Sequence, residues 1–158
     1  MIDDLLRLLK IKNRCLERIL LNSQSFGKMF QNNIVESAFE ERASQIVIGL
    51  THFEKERETL IRAVQHFDIK IESNCSEIRS KSLIIQDEMK KNMRTELSIR
   101  DELIEKILEI DADLIVNLEN EKEQTAKEIQ TSRRAMDVVS RFKSGSTQDR
   151  GEGLDWIL

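Results

Sequence analysis

The clearest hydrophobic pattern in the chain starts at Phe39 and runs through Ala43, Ile46, Leu50, Phe53, Arg57, Leu60, Val64, Phe67, Ile71, Asn74 and Ile78. Steps of four and three alternate throughout, which marks the seam of a helix lying along another helix, with Arg57 and Asn74 as polar exceptions. A helix is predicted over 34–78, and residues 36–78 alone would form a rod of ~65 Å with slight left-handed supercoiling. Gly49 is its weak point, costing ~1 kcal/mol relative to alanine while allowing close approach of another helix.

Upstream, Ile2, Leu5, Leu6, Leu9, Leu16, Ile19 and Leu20 recur at helical spacing, with Arg7, Lys10, Arg14 and Arg18 mostly between them. They predict an amphipathic helix over about 2–22. The run Asn22-Ser23-Gln24-Ser25-Phe26-Gly27, and then Asn32-Asn33, offers side chains that compete for backbone hydrogen bonds, so a break is expected there. An unbroken helix to about residue 40 is the alternative. Small polar residues from Ser73 to Ser82 place the next reversal within 74–83.

A third helix is predicted over 84–142, beginning with Ile84, Ile85, Met89 and Met93 and continuing through Leu97, Ile104, Ile107, Leu114 and Leu118. Beyond Leu118 the seam meets Glu121, Thr125, Glu128 and Ser132, and apolar content returns only at Ala135, Val139 and Phe142. Asp111 falls on the seam, where it reads as register control or as a point facing solvent or a partner. The segment 144–153 has three of the five glycines and no apolar residue, so it is expected to be a flexible linker ending in Leu154-Asp155-Trp156-Ile157-Leu158. The expected fold is all-α: an elongated antiparallel helical bundle or coiled coil of about three helices over 1–143, with a flexible C-terminal tail over 144–158.

Composition agrees. Proline and tyrosine are absent, and 34% charged against 39% apolar residues suits narrow seams rather than a thick core. A net charge of -4 argues against nucleic acid as a partner. No apolar run is long enough for a membrane span, and the N-terminus, with Asp3 and Asp4, does not resemble a signal peptide. A membrane partner is not expected, the chain is expected in the cytoplasm, and Cys15 and Cys75 are expected to be reduced thiols.

No catalytic constellation is expected. His52 and His66 share a helix face but lie four turns apart, ~21 Å, too far to share a metal, and both read as residues flanking the seam. Asp111 and Asp113 resemble the start of a calcium loop, but the glycine and the closing glutamate are missing. No phosphate-cradling glycine loop, Cys-x-x-Cys pair or His-Glu-x-x-His motif occurs, so the chain is read as no enzyme, without metal or cofactor. Between Arg100 and Glu123 stand nine acids against three bases, read as a solvated face.

Leu5-Leu6-Arg7-Leu8-Leu9, Glu41-Arg42-Ala43 leading into Phe53-Glu54-Lys55-Glu56-Arg57, and Ile110-Asp111 followed by Lys127-Glu128-Ile129 carry a resemblance over most of residues 1–142. The chain resembles small bacterial flagellar export chaperones of the FlgN and FliT type. The resemblance implies a cytoplasmic helical protein that keeps a hook-associated or filament-cap subunit unpolymerised and delivers it for export. Family members bind clients through amphipathic C-terminal helices, which would correspond here to Leu114, Leu118, Ile129, Met136, Val139 and Phe142. The tail residues Leu154, Trp156, Ile157 and Leu158 lie outside the family pattern and read as a tethered anchor, docking in cis or in trans. The alternative to a client is a homodimer through the same stripe, or a structural coiled-coil spacer acting as a homo-oligomer.

Overall fold

A computed structural model describes the backbone of residues 2–36, 39–81 and 85–148, and the side chains of 2–31, 44–81 and 85–141. All regular structure among the described residues is helical: α1 (Ile2–Glu36), α2 (Phe39–Ser80) and α3 (Asp87–Gln148). The chain divides into two units, Met1–Leu114 and Ile115–Leu158.

In the first unit the three helices share one core. The buried positions of α1 are Leu5, Leu9, Lys12, Leu16, Ile19, Ser23, Phe26 and Phe30, with Asn13 beside them. Those eight alternate in steps of four and three, so α1 carries a heptad seam of its own in which Lys12 and Ser23 are the polar members. On α2, every expected seam residue from Ile46 to Ile78 is buried or half-buried. Phe39 and Ala43 belong to the same helix, but their side chains lie outside the described residues. Leu16, Ile19, Leu60, Leu103 and Ile107 form the central cluster, with Leu20, Val64 and Ile99 packed against it.

Cross-helix contacts fix the topology. Asn22 meets Glu56 and Lys12 meets Asp68, so numbers rise on α1 as they fall on α2 and the two helices are antiparallel. Asn13 meets Glu96 and Ser23 meets Asp111, so numbers rise together and α1 is parallel to α3. The unit is an up-down-up three-helix bundle. Phe26 of α1 stacks on Phe53 of α2, with centroids 4.7 Å apart, and lies 6.2 Å from the ring of Phe30.

One layer of the core is polar and joins all three helices. Arg57 donates from Nη1 to Ser23 Oγ at 2.7 Å and to Asp111 Oδ1 at 3.0 Å, while its Nη2 donates to Asp111 Oδ2. The hydroxyl of Ser23, which is fully buried, donates in turn to Asp111 Oδ1 at 3.0 Å. Arg57 also packs over the Phe53 ring, 5.5 Å from its centroid. Each polar group at this level therefore finds a partner at one register, and sliding any helix by a turn would strand a charge. Of the two readings of Asp111, register control is the one its contacts match.

Several expected boundaries move. The break expected after residue 22 is absent, and α1 follows the unbroken alternative. The physical reason lies across the bundle: Asn22 Nδ2 donates to Glu56 at 2.8 Å, Ser23 is held by Arg57 and Asp111, and a Cβ on Gly27 would sit 3.4 Å from Leu114. At Gly49 an added Cβ would collide with the thioether end of Met29, 2.7 Å from its sulfur, so this glycine does admit a close approach.

Helix α2 runs through Ser73, Asn74 and Ser76 to Ser80, placing Lys81 in the turn that follows. Ser80 Oγ donates to the Glu77 carbonyl at 2.9 Å, and the Lys81 side chain, hydrogen-bonded to Glu77, holds that carboxyl below its ordinary range. Residues 82–84 lie outside the described residues, and α3 starts at Asp87 rather than 84, its first turn acidic at Asp87 and Glu88. It continues to Gln148, so 144–148 are helical rather than linker, and the rest of the expected tail lies outside the described residues.

Candidate protein-binding surface

In the second unit, α3 is amphipathic without relying on a thick core. Ile115, Leu118, Lys122, Thr125, Ile129, Ser132, Met136 and Val139 follow one another in steps of three and four, which stacks them on one face of the helix. Ile115, Ile129, Met136 and Val139 are 41–71% exposed, and Leu118 and Thr125 are half-buried. Val116 and Val138 add two further exposed aliphatic side chains. Nothing in the local sequence disfavours a helix here: there is no glycine or proline between Ile115 and Arg141.

Charge is split along this segment. From Ile115 to Glu128 there are four acids (Glu119, Glu121, Glu123, Glu128) and two bases (Lys122, Lys127). From Ile129 to Arg141 there are three arginines (Arg133, Arg134, Arg141) and one acid (Asp137). Such a face can hold an amphipathic helix through apolar contact and orient it through the charges beside the stripe.

The expected contact residues divide three ways. Ile129, Met136 and Val139 are exposed on the common face, and Leu118 is half-buried at its start. Leu114 is a correction: it is buried at 6% exposure beside Gly27 and belongs to the core of the first unit, because the inner seam of α3 still runs along α1 at that level. The Phe142 side chain and Leu154, Trp156, Ile157 and Leu158 lie outside the described residues.

A second apolar feature escaped the sequence reading. In the first unit a shallow groove of about 180 Å³ is lined by Leu16, Ile19, Ile61, Val64, Ile104 and Leu108, among others. Ile104, expected in the seam, is instead 38% exposed at this groove, and Leu103 takes the buried place. The legible signal was Leu108, an apolar residue next to the seam residue Ile107 and four from Ile104.

His52 and His66 are both exposed, His52 with its Nδ1 4.0 Å from Glu56 and His66 edge-on to Phe67. Among the described residues no group of three His, Cys, Asp or Glu side chains could hold a metal ion, and no helix is long and apolar enough to cross a membrane. Cys15 and Cys75 are free thiols. Compared with protein-family models, curated proteins and solved structures, the chain gives no match in any of the three.

Proposed function

We propose that the chain is a protein-binding chaperone whose docking surface is the apolar face of the second unit. The observation that carries this reading is the exposure of Ile115, Ile129, Met136 and Val139 on one helical face. Exposed aliphatic side chains stacked on one helix face, here interrupted by Lys122, Thr125 and Ser132, are a liability unless another chain covers them, and their helical spacing suits a helix of that chain. The resemblance to flagellar export chaperones names the client class: a hook-associated or filament-cap subunit, whose assembly helix would lie on the strip and so be kept from polymerising. A cytoplasmic location belongs to the same reading.

Calorimetric titration with purified hook-associated and filament-cap subunits tests it. One of them is expected to form a stoichiometric complex, and the double variant Ile129→Glu, Met136→Glu is expected to weaken it at least ~30-fold, since two apolar contacts are replaced by desolvated charges. Circular dichroism of the variant should match the parent, because both side chains point into water. Equal binding by parent and variant, or the absence of any complex, would refute the proposal.

A further inference from the structure

We infer that the groove between α2 and α3 of the first unit, walled by Ile61, Val64, Ile104 and Leu108, receives a basic amphipathic helix of a partner protein. The groove belongs wholly to the first unit, so the inference stands independently of the docking face assigned to the second.

The shape of the groove selects a helix. Its two walls run antiparallel, since α1 is antiparallel to α2 and parallel to α3. Ile61 and Val64 stand three apart on one wall, Ile104 and Leu108 four apart on the other, and Leu16 and Ile19 of α1 lie at its base. Ile61, Ile104 and Leu108 are exposed, so this apolar surface is open. Side chains set one helical turn apart on both walls accept those of a further helix at the same pitch, which adds a fourth member to the bundle. An extended segment would find no backbone partners there, because the amides and carbonyls of both walls are used within their own helices. A helix satisfies its own.

Charge selects the kind of helix. On the α2 side, Glu54 and Glu58 share the surface beside Ile61 with Arg62 and Gln65. On the α3 side, Asp101 and Glu105 are exposed one turn before Ile104 and Leu108. Arg62 is hydrogen-bonded to Glu58, Arg100 to Asp101, and Arg57, which also lines the groove, to Asp111. Among the described residues Glu54 and Glu105 have no such cation, so each wall keeps one uncompensated carboxylate.

Lysine or arginine on both flanks of an apolar stripe would answer those two carboxylates, whereas an acidic helix would be repelled from both walls. The exposed side of α1 carries Arg7, Lys10, Arg14 and Arg18, which turns a basic helix away from α1 and towards α2 and α3.

Fluorescence anisotropy of a labelled synthetic peptide, titrated with the full chain, tests the inference. The probe has about 18 residues, or ~27 Å of helix, with leucines at spacings of three and four, lysines flanking them and alanines elsewhere. A control peptide carries glutamate in place of every lysine. The lysine peptide should bind at least ~10-fold more tightly than the control. Leu108→Lys, at an exposed position, should raise its Kd at least ~10-fold. The double variant Glu54→Lys, Glu105→Lys should reverse the preference and favour the glutamate peptide. Ile129→Glu, Met136→Glu should leave the Kd of the lysine peptide within ~3-fold of the parent, and circular dichroism checks that every variant keeps its helicity.

Equal binding of the two peptides, or no binding of the lysine peptide at several hundred micromolar chain, would overturn the inference. So would a Kd indifferent to Leu108→Lys, or a preference that the two charge reversals fail to move. Loss of binding in Ile129→Glu, Met136→Glu alone would place the peptide on the second unit and remove the groove as its site.

Discussion

Truncating Phe30 to alanine is expected to cost ~3–5 kcal/mol and to lower the melting temperature of the bundle by roughly 8–15 °C. Phe30 is 1% exposed, the most deeply buried large side chain among the described residues, and its ring lies 6.2 Å from that of Phe26. Phe26 stands on the same helix, so the space left by the ring closes only in part, and the cavity adds to the lost transfer energy. Thermal denaturation followed by circular dichroism measures the effect. A shift under ~3 °C would mean that Phe30 is not packed in the core as described.

Changing Asp111 to leucine is expected to destabilise the first unit by ~2–4 kcal/mol although it adds apolar volume to a core layer. The guanidinium of Arg57 is held by both oxygens of Asp111 and by Ser23, and the two charged side chains are only 20% and 23% exposed. Without the carboxylate, a largely desolvated positive charge keeps a single neutral acceptor. Their partial exposure puts the loss somewhat below that for a fully dry pair. The double variant Arg57→Leu, Asp111→Leu should recover most of the loss, because removing both charges removes the desolvation cost as well. Melting of the single variant within ~2 °C of the parent would contradict this account, and so would a double variant less stable than the single.

Much of this architecture was legible from spacing alone. The α2 seam was traced residue by residue from Ile46 to Ile78, including Arg57, because a helix packed against two others keeps a strict heptad along the packed length. What spacing could not give was how a polar residue on a seam is satisfied. Ser23 carries the local preference of a helix breaker, yet its hydroxyl is bonded on both sides by groups from α2 and α3, far away in sequence. Lys12 interrupts the apolar pattern of α1 in the same way and is buried against Asp68.

The exposed apolar face of the second unit was only partly legible for a related reason. Leu103 and Ile104 are adjacent and equally apolar, and a rotation of one residue about the helix axis decides which of them enters the core. Leu114, already on the traced seam of α3, is buried, while Ile115 one residue later stands on the exposed face. Ile129, Met136 and Val139 needed no such decision, since the apolar residues there are sparse enough to define a single face.

Hydrogen–deuterium exchange of the full chain, alone and with the flagellar subunit that binds it, tests the central claim most directly. The account predicts that binding slows amide exchange between Ile115 and Arg141 by tenfold or more and leaves Leu5 to Leu60 unchanged. A complex that protects only residues of the three-helix bundle, with the distal part of α3 exchanging as fast as before, would place the docking surface elsewhere and contradict it.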